Sequence, residues 1–174
     1  MIDKFIPDMY QKSIYSINYD KLKADGIKCL LFDLDNTCAA YSVKEPTSKL
    51  IELFEDLKDM DFKVIIYSNN TKKRLEPFKN KLLVDCSANS RKPRKDKFLK
   101  IMKMFNFDLS EVAIIGDQLL TDIYGGNRVG IKTILVNPVS KEDIVPTMFS
   151  RLIEKRLMKK MHKRGIFTKG QYYE

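Results

Sequence analysis

Asp33-Leu34-Asp35-Asn36-Thr37, Ser68-Asn69-Asn70, Arg91-Lys92-Pro93 and Gly116-Asp117, with Asp122 five residues on, hold the residue types needed for chemistry on an anion. Asp33 and Asp35 close an apolar run of Cys29, Leu30, Leu31 and Phe32. Side chains two apart on an extended segment point the same way, so these carboxylates converge if the chain stays extended. Like charges that close repel and raise each other's pKa unless a cation sits between them. An Asx-rich turn at a strand end is the plainer account of the same residues. Hard oxygen ligands suit Mg2+, which takes one or two carboxylates and keeps positions for water and phosphate. Asp33 and Asp117 supply carboxylates and the main-chain carbonyl of Asp35 a third oxygen. Zinc is disfavoured, because the chain has no histidine and cysteine cluster and its one histidine is His162. Phosphoryl transfer needs the equatorial oxygens neutralised and a nucleophile in line. Lys92 and the hydroxyls of Ser68 and Thr37 are the right groups for the first task, and a backbone amide at Asn69 can reach phosphate. Asp33 can attack phosphorus to give an aspartyl-phosphate. Asp35 can protonate the leaving alkoxide and then activate water.

Those residues need a scaffold that brings them to one place. Apolar runs at Lys28–Asp33, Phe62–Ser68, Leu82–Cys86, Val112–Gly116 and Lys132–Val136 read as strands. Helical spacing marks Thr47–Met60 (Leu50, Ile51, Leu53, Phe54, Leu57, Met60), Lys72–Lys79 with its end blurred by Pro77, Asp96–Phe105, and Leu119–Val129 stopped by Gly130. Strands this apolar, separated by helices, predict a Rossmann-like three-layer α/β/α fold with a parallel sheet of about five strands. In such sheets ligands bind outside the carboxyl ends of the strands. All four polar stretches fall on that edge. Gly125 and Gly126 read as close helix packing rather than a phosphate loop, and Arg91 and Arg94 as solvated charges flanking Lys92.

The set resembles the haloacid dehalogenase superfamily of phosphatases over roughly Lys28 to Val139. Asp33-x-Asp35-x-Thr37 matches its first motif, Ser68 its second, Lys92 its third, and Gly116-Asp117 with Asp122 its acidic fourth. The resemblance implies Asp33 as nucleophile, Asp35 as general acid and base, and Asp33, Asp35 and Asp117 as magnesium ligands. It implies Thr37, Ser68, Asn69 and Lys92 as substrate-binding residues, and Asp122 as a partner of the metal waters or of Lys92. A receiver domain also uses acids, a hydroxyl and a lysine, but carries its acceptor Asp on the middle strand, where this chain has Asp85-Cys86. An acid two residues after the nucleophile also favours turnover over storage.

Asp33 and Ser68 are 35 positions apart, and Ser68 and Lys92 another 24. Neither gap holds a separate cap domain, which needs at least about 50 residues. Members of the superfamily without caps act on large substrates or close their sites by oligomerising. Residues 38–46 are expected to form a small flap at the entrance. The 174 residues read as one domain: a core of about 28–139, an N-terminal amphipathic segment 1–27, and a basic C-terminal helix and tail 141–174.

The net charge of +9 and pI near 9.3 suit an anionic partner. Much of the excess lies in Arg151, Lys155, Arg156, Lys159, Lys160, Lys163, Arg164 and Lys169, interleaved with Met148, Leu152, Ile153, Leu157 and Met161. A basic amphipathic helix of that kind can lie on an anionic membrane surface; the alternative is a helix packed on the sheet with its charges solvated. Phe5, Ile6, Met9, Tyr10, Ile14 and Tyr15 make the N-terminal segment a second candidate for the interface. No apolar run is long enough to span a bilayer, no signal peptide opens the chain, and Cys29, Cys38 and Cys86 lack paired spacing. A cytoplasmic protein, peripheral on the inner membrane face, is expected, and the Asn69-Asn70-Thr71 sequon reads as accidental.

The stretches "FIPDMYQKSI", "FDLDNT", "SNN", "RKP" and "GDQLLTDIYGGNRVGIKTILV" resemble the YqeG-type subgroup, itself similar to the mitochondrial phosphatidylglycerophosphatase family. Cys38 and Ala39 depart from it, standing where a larger apolar residue is usual. The resemblance implies a phospholipid headgroup, phosphatidylglycerophosphate, as substrate. A soluble phosphatase of sugar phosphates or nucleotides remains an alternative. So does a basic nucleic-acid-binding protein with a vestigial site, disfavoured by the intact motifs and the missing aromatic-basic RNA motif.

Overall fold

In the computed structural model, which describes residues 2–140, the backbone of 145–149 and residues 150–174, helices alternate with strands along most of the chain. Six strands among the described residues form one sheet: β1 (Met9–Gln11), β2 (Cys29–Phe32), β3 (Lys63–Tyr67), β4 (Asp85–Ser87), β5 (Val112–Gly116) and β6 (Lys132–Val136). Their order is β1-β6-β5-β2-β3-β4, and every pairing between them is parallel. Counted from β2, the five core strands run 5-4-1-2-3. A receiver has the flavodoxin-like order 2-1-3-4-5, so the order sets the receiver alternative aside.

The period of two along each strand divides the core. Leu30 and Phe32 face one layer, where α1 (Tyr19–Ala24), α2 (Ser48–Asp59) and α3 (Lys72–Leu82) bury Leu22, Leu50, Phe54, Leu57, Leu75 and Phe78. Cys29 and Leu31 face the other, against Phe98, Ile101 and Met102 of α4 (Asp96–Phe105). Thr47 starts α2 by accepting a hydrogen bond from the Leu50 amide, and Thr71 starts α3 by accepting one from Arg74.

Three elements differ from expectation. Pro77 does not end α3, which runs on to Leu82, so β4 begins at Asp85 and not at Leu82. The helix expected over Leu119–Val129 opens with a wide π-helical turn, Leu119–Ile123, before α5 (Tyr124–Val129). Gly126 lets α5 lie flat on the sheet, since a Cβ there would sit 2.5 Å from Thr133 Cγ2. The third difference is the N-terminal segment, whose Met9, Tyr10 and Ile14 are buried in the sheet and core and are not free for an interface. β1 adds a sixth strand there, and its outer edge is bridged by the chain's tail, with Tyr10 and Tyr173 exchanging two main-chain hydrogen bonds of 2.9 Å.

The basic C-terminal region forms α6 (Val145–Lys163). Met161 is buried and Leu157 packs beside it against Tyr10, Leu119 and Leu135, while Leu152 and Ile153 are 49% and 38% exposed. The expected single apolar stripe is therefore split into an inner and an outer part. The side chain of Met148 and residues 141–144 lie outside what the structure describes. Among the described residues no helix is long and apolar enough to cross a membrane.

Candidate active site

β2 ends at Phe32, but the Asp33 amide still donates to Ile115 of β5, at 2.9 Å, which fixes Asp33 against the neighbouring strand. The chain then turns sharply: the amides of Thr37, Cys38 and Ala39 all donate to the Leu34 carbonyl, and Asn36 takes a left-handed conformation (φ 63°) that asparagine tolerates. The turn carries Thr37 back over the strand end, where its hydroxyl donates to Asp117 at 3.1 Å. Asp117 follows directly on β5. Asp122 comes from the π-helical turn, and its carboxylate fills the space that a side chain on Gly116 would take.

Lys92 ties these acids together. Its Nζ donates to Asp33 at 2.6 Å and to Asp122 at 2.7 Å, all three side chains being buried. Burial opposes the charge on Lys92, but the Asp122 and Asp33 carboxylates outweigh it and hold the ammonium above its ordinary value. Burial likewise pushes Asp33 up to about 8 against the pull of Lys92, with Asp122 and Asp117 adding to the rise. Burial also raises Asp117, against the pull of Arg151. Carboxylate oxygens of Asp33, Asp117 and Asp122 lie within 4.8 Å of one another. Three acids confined together outnumber the two cations that reach them, Lys92 and Arg151, and their donors are all hard oxygens. The set fits a hard divalent cation.

The structure places Asp35 away from that cluster. Period-two reasoning brings Asp33 and Asp35 together only while the chain is a strand, and here it has already turned. The Asp35 carboxylate is held by Arg74, through Nε at 3.0 Å and a second guanidinium nitrogen at 2.9 Å, and by Asn70 Nδ2 at 2.9 Å. Arg74 also donates to the carbonyls of Val43 and Ala40, pinning the 38–46 segment beside Asp35. Ser68 lies at the end of β3 with its hydroxyl accepting from the Asn70 amide at 3.1 Å. The Asn69 side chain is spent on the main chain of Lys92, accepting from its N–H at 2.7 Å and donating to its carbonyl at 3.2 Å. Only the backbone amide of Asn69 is then left for the phosphate contact expected of this residue.

Arg74, Arg151 and Glu154 were not legible at the site from the sequence, and Asn70 only as part of Ser68-Asn69-Asn70. Arg151, read as one cation of the tail, donates to the Asp117 carbonyl at 3.1 Å and pairs with the Asp117 carboxylate. Glu154, buried beneath it, accepts from Arg151 and from the Leu120 amide at 3.0 Å, and burial pushes it up to about 7. Nothing in a run of basic residues marks one that turns inward; the acid three positions on from Arg151 is the nearest thing to a signal.

The comparisons with known proteins agree with this geometry. The HAD-hydrolase-like family matches residues 89–141. The probable phosphatase YqeG of Bacillus subtilis is 38% identical over 161 residues, which cover 92% of this chain and 94% of that one. The chain belongs to the haloacid dehalogenase (HAD) superfamily, in its YqeG-type subgroup. It is a HAD phosphatase. The chloroplastic and mitochondrial phosphatidylglycerophosphate phosphatase 1 of Arabidopsis thaliana is 28% identical over 173 residues, covering 92% of this chain but only 49% of the plant protein. Among solved structures, the cobalt-bound deoxy-D-mannose-octulosonate 8-phosphate phosphatase of Haemophilus influenzae superposes with a TM-score of 0.54 at 15% identity. It covers 86% of this chain and 97% of its own, and shows the shared HAD fold.

Proposed function

We propose that this HAD phosphatase works with Mg2+ through an aspartyl-phosphate on Asp33, and that its substrate is a phosphatidylglycerophosphate. The observation that carries the reaction is Asp33 buried between Lys92 and the acids Asp117 and Asp122 at the strand ends. Asp33 and Asp117, with the Asp35 carbonyl, would hold the cation, which would supply the positive charge that phosphoryl oxygens need beside these acids. An Asp33 oxygen attacks phosphorus, the bond from phosphorus to the ester oxygen breaks, and Asp35 gives its proton to the leaving alkoxide. Water then attacks the same phosphorus, Asp35 takes the water's proton, and the acyl-phosphate bond breaks to restore Asp33. Lys92, Ser68 and Thr37 neutralise and orient the phosphoryl oxygens, Lys92 itself being positioned by Asp122 and Asn69. Arg74 and Asn70 hold the Asp35 carboxylate to one side of the acids, so its proton transfers require it to leave those partners and turn towards the ester oxygen.

Asp35→Asn keeps the main-chain carbonyl and loses the proton carrier. Hydrolysis of the phosphoenzyme should slow by about a hundredfold or more, and acid quench of a reaction with an activated ester should trap more phosphate per site than in wild type. Normal turnover without accumulation would remove Asp35 from that role.

The likeness to the plant phosphatase and the uncapped, basic entrance support the lipid substrate. A screen of phosphatidylglycerophosphate in mixed micelles against glycerol phosphate, sugar phosphates and nucleotides tests it, with and without chelator. We expect the lipid to be turned over at least about tenfold more efficiently; equal or better hydrolysis of a soluble ester overturns the assignment.

The outer face of α6 supports docking on an anionic membrane: Leu152 and Ile153 are exposed beside Arg156 and Lys160. At about 1 kcal/mol per basic residue, Arg156→Gln with Lys160→Gln should weaken binding to anionic liposomes by up to roughly thirtyfold at low salt. Added salt should erase the difference by screening. Unchanged co-sedimentation refutes the docking face.

A further inference from the structure

Beside the phosphate site a groove of about 830 Å3 opens at Asp117 and runs between α6 and the carboxyl ends of β1 and β6. Its volume is that of a ligand pocket, roughly 300–1,000 Å3. Leu135, Val136 and Met158 give it apolar walls, and Lys155, Lys159 and Lys169 stand along it. The acids it contains, Asp117 and Glu154, are both engaged by Arg151 at its inner end. Lys155, Lys159 and Lys169 have no ion-pair partner among the described residues. Solvated basic residues are ordinary on a convex face, as Arg156 and Lys160 are on the outer face of the same helix. Three lysines with no acid paired to them among the described residues, lining one groove that leads out of a phosphate site, are a different arrangement. A small ester with a single phosphate needs none of them.

We propose that this groove is a second anion subsite, which holds a phosphodiester carried by the same substrate molecule whose terminal phosphate reaches Asp33. Lys155 and Lys159, four residues apart and therefore on one face of α6, donate to the diester oxygens. The apolar wall takes the carbon chain beyond them. The inference rests on the reading of the substrate as a glycerophosphate lipid, and adds to it the part of the molecule that gives selection.

The test avoids membranes. Hydrolysis of p-nitrophenyl phosphate is inhibited either with glycerol 3-phosphate, which has one phosphate, or with the deacylated headgroup glycerophosphoglycerophosphate, which has a monoester and a diester. The wild-type chain should bind the two-phosphate compound at least about tenfold more tightly. In Lys155→Gln with Lys159→Gln that ratio should fall towards one. Lys100→Gln with Lys103→Gln, which removes two exposed charges from α4, should retain it. A wild-type ratio near one, or a ratio unchanged in the groove variant, overturns the subsite. Lipid hydrolysis without the ratio would break the subsite alone; the ratio without lipid hydrolysis would break the substrate assignment alone.

Discussion

Asp33→Asn should lose phosphatase activity by a factor on the order of 10^4 or more, as removal of a covalent nucleophile does elsewhere. The amide keeps the size of the carboxylate but cannot form the acyl-phosphate. Misfolding is not the expected cause, and stability measured without metal separates the two. Asp33 titrates near its model-peptide value of 3.8 when unfolded and is pushed by burial up to about 8 in the fold. Between those values the folded chain binds the extra proton, so raising the pH costs the native state stability. The asparagine variant lacks that liability. Its melting temperature should match wild type near pH 4 and exceed it at pH 8 in chelator, with Mg2+ narrowing the gap by stabilising wild type. A variant that is inactive and also melts early at pH 8 would contradict this account of Asp33.

Lys92→Met should damage both activity and fold. It removes the ammonium from two buried carboxylates at once, Asp33 and Asp122. Breaking a buried pair by deleting one partner costs about 3–5 kcal/mol. The part of the penalty that falls on Asp33 needs its charged form, so it should be largest near pH 8 and shrink as that carboxyl takes up its proton towards pH 5. Urea unfolding at the two pH values checks the sign. A loss of stability that is the same at both would mean that packing, and not charge, is what Lys92 contributes.

Much of this was legible because apolar strands end abruptly in polar residues. β5 and β6 match their sequence signals residue for residue, as does α4. The four polar stretches meet on one edge of the sheet because parallel strands all point their carboxyl ends the same way. What stayed hidden depends on distant parts of the chain. β1 is three residues long and contains Gln11; it is a strand because β6 pairs with it from more than a hundred residues away. Helical spacing identifies α6 but leaves open which side turns inward, and the sheet chose Glu154, Leu157 and Met161 over Leu152 and Ile153. Arg74 and Arg151 reach their acids only after α3 and α6 have docked. Asp35 parts from Asp33 because the tight turn at Leu34 and Asn36 ends the alternation that pairs them.

The bridge between Tyr10 and Tyr173 also bears on how the sheet meets its neighbours in a crowded solution. A bare outermost strand offers unpaired N–H and C=O groups on which a second molecule can build. At β1 the tail takes up those groups at Tyr10. At the opposite border, β4 is only three residues long and carries Asp85, paired with Lys63. One border is capped by backbone and the other is short and charged, so neither invites strand-by-strand growth into fibres. The segment from Phe167 to Tyr173 thereby guards against aggregation while it walls the groove that leads to Asp117.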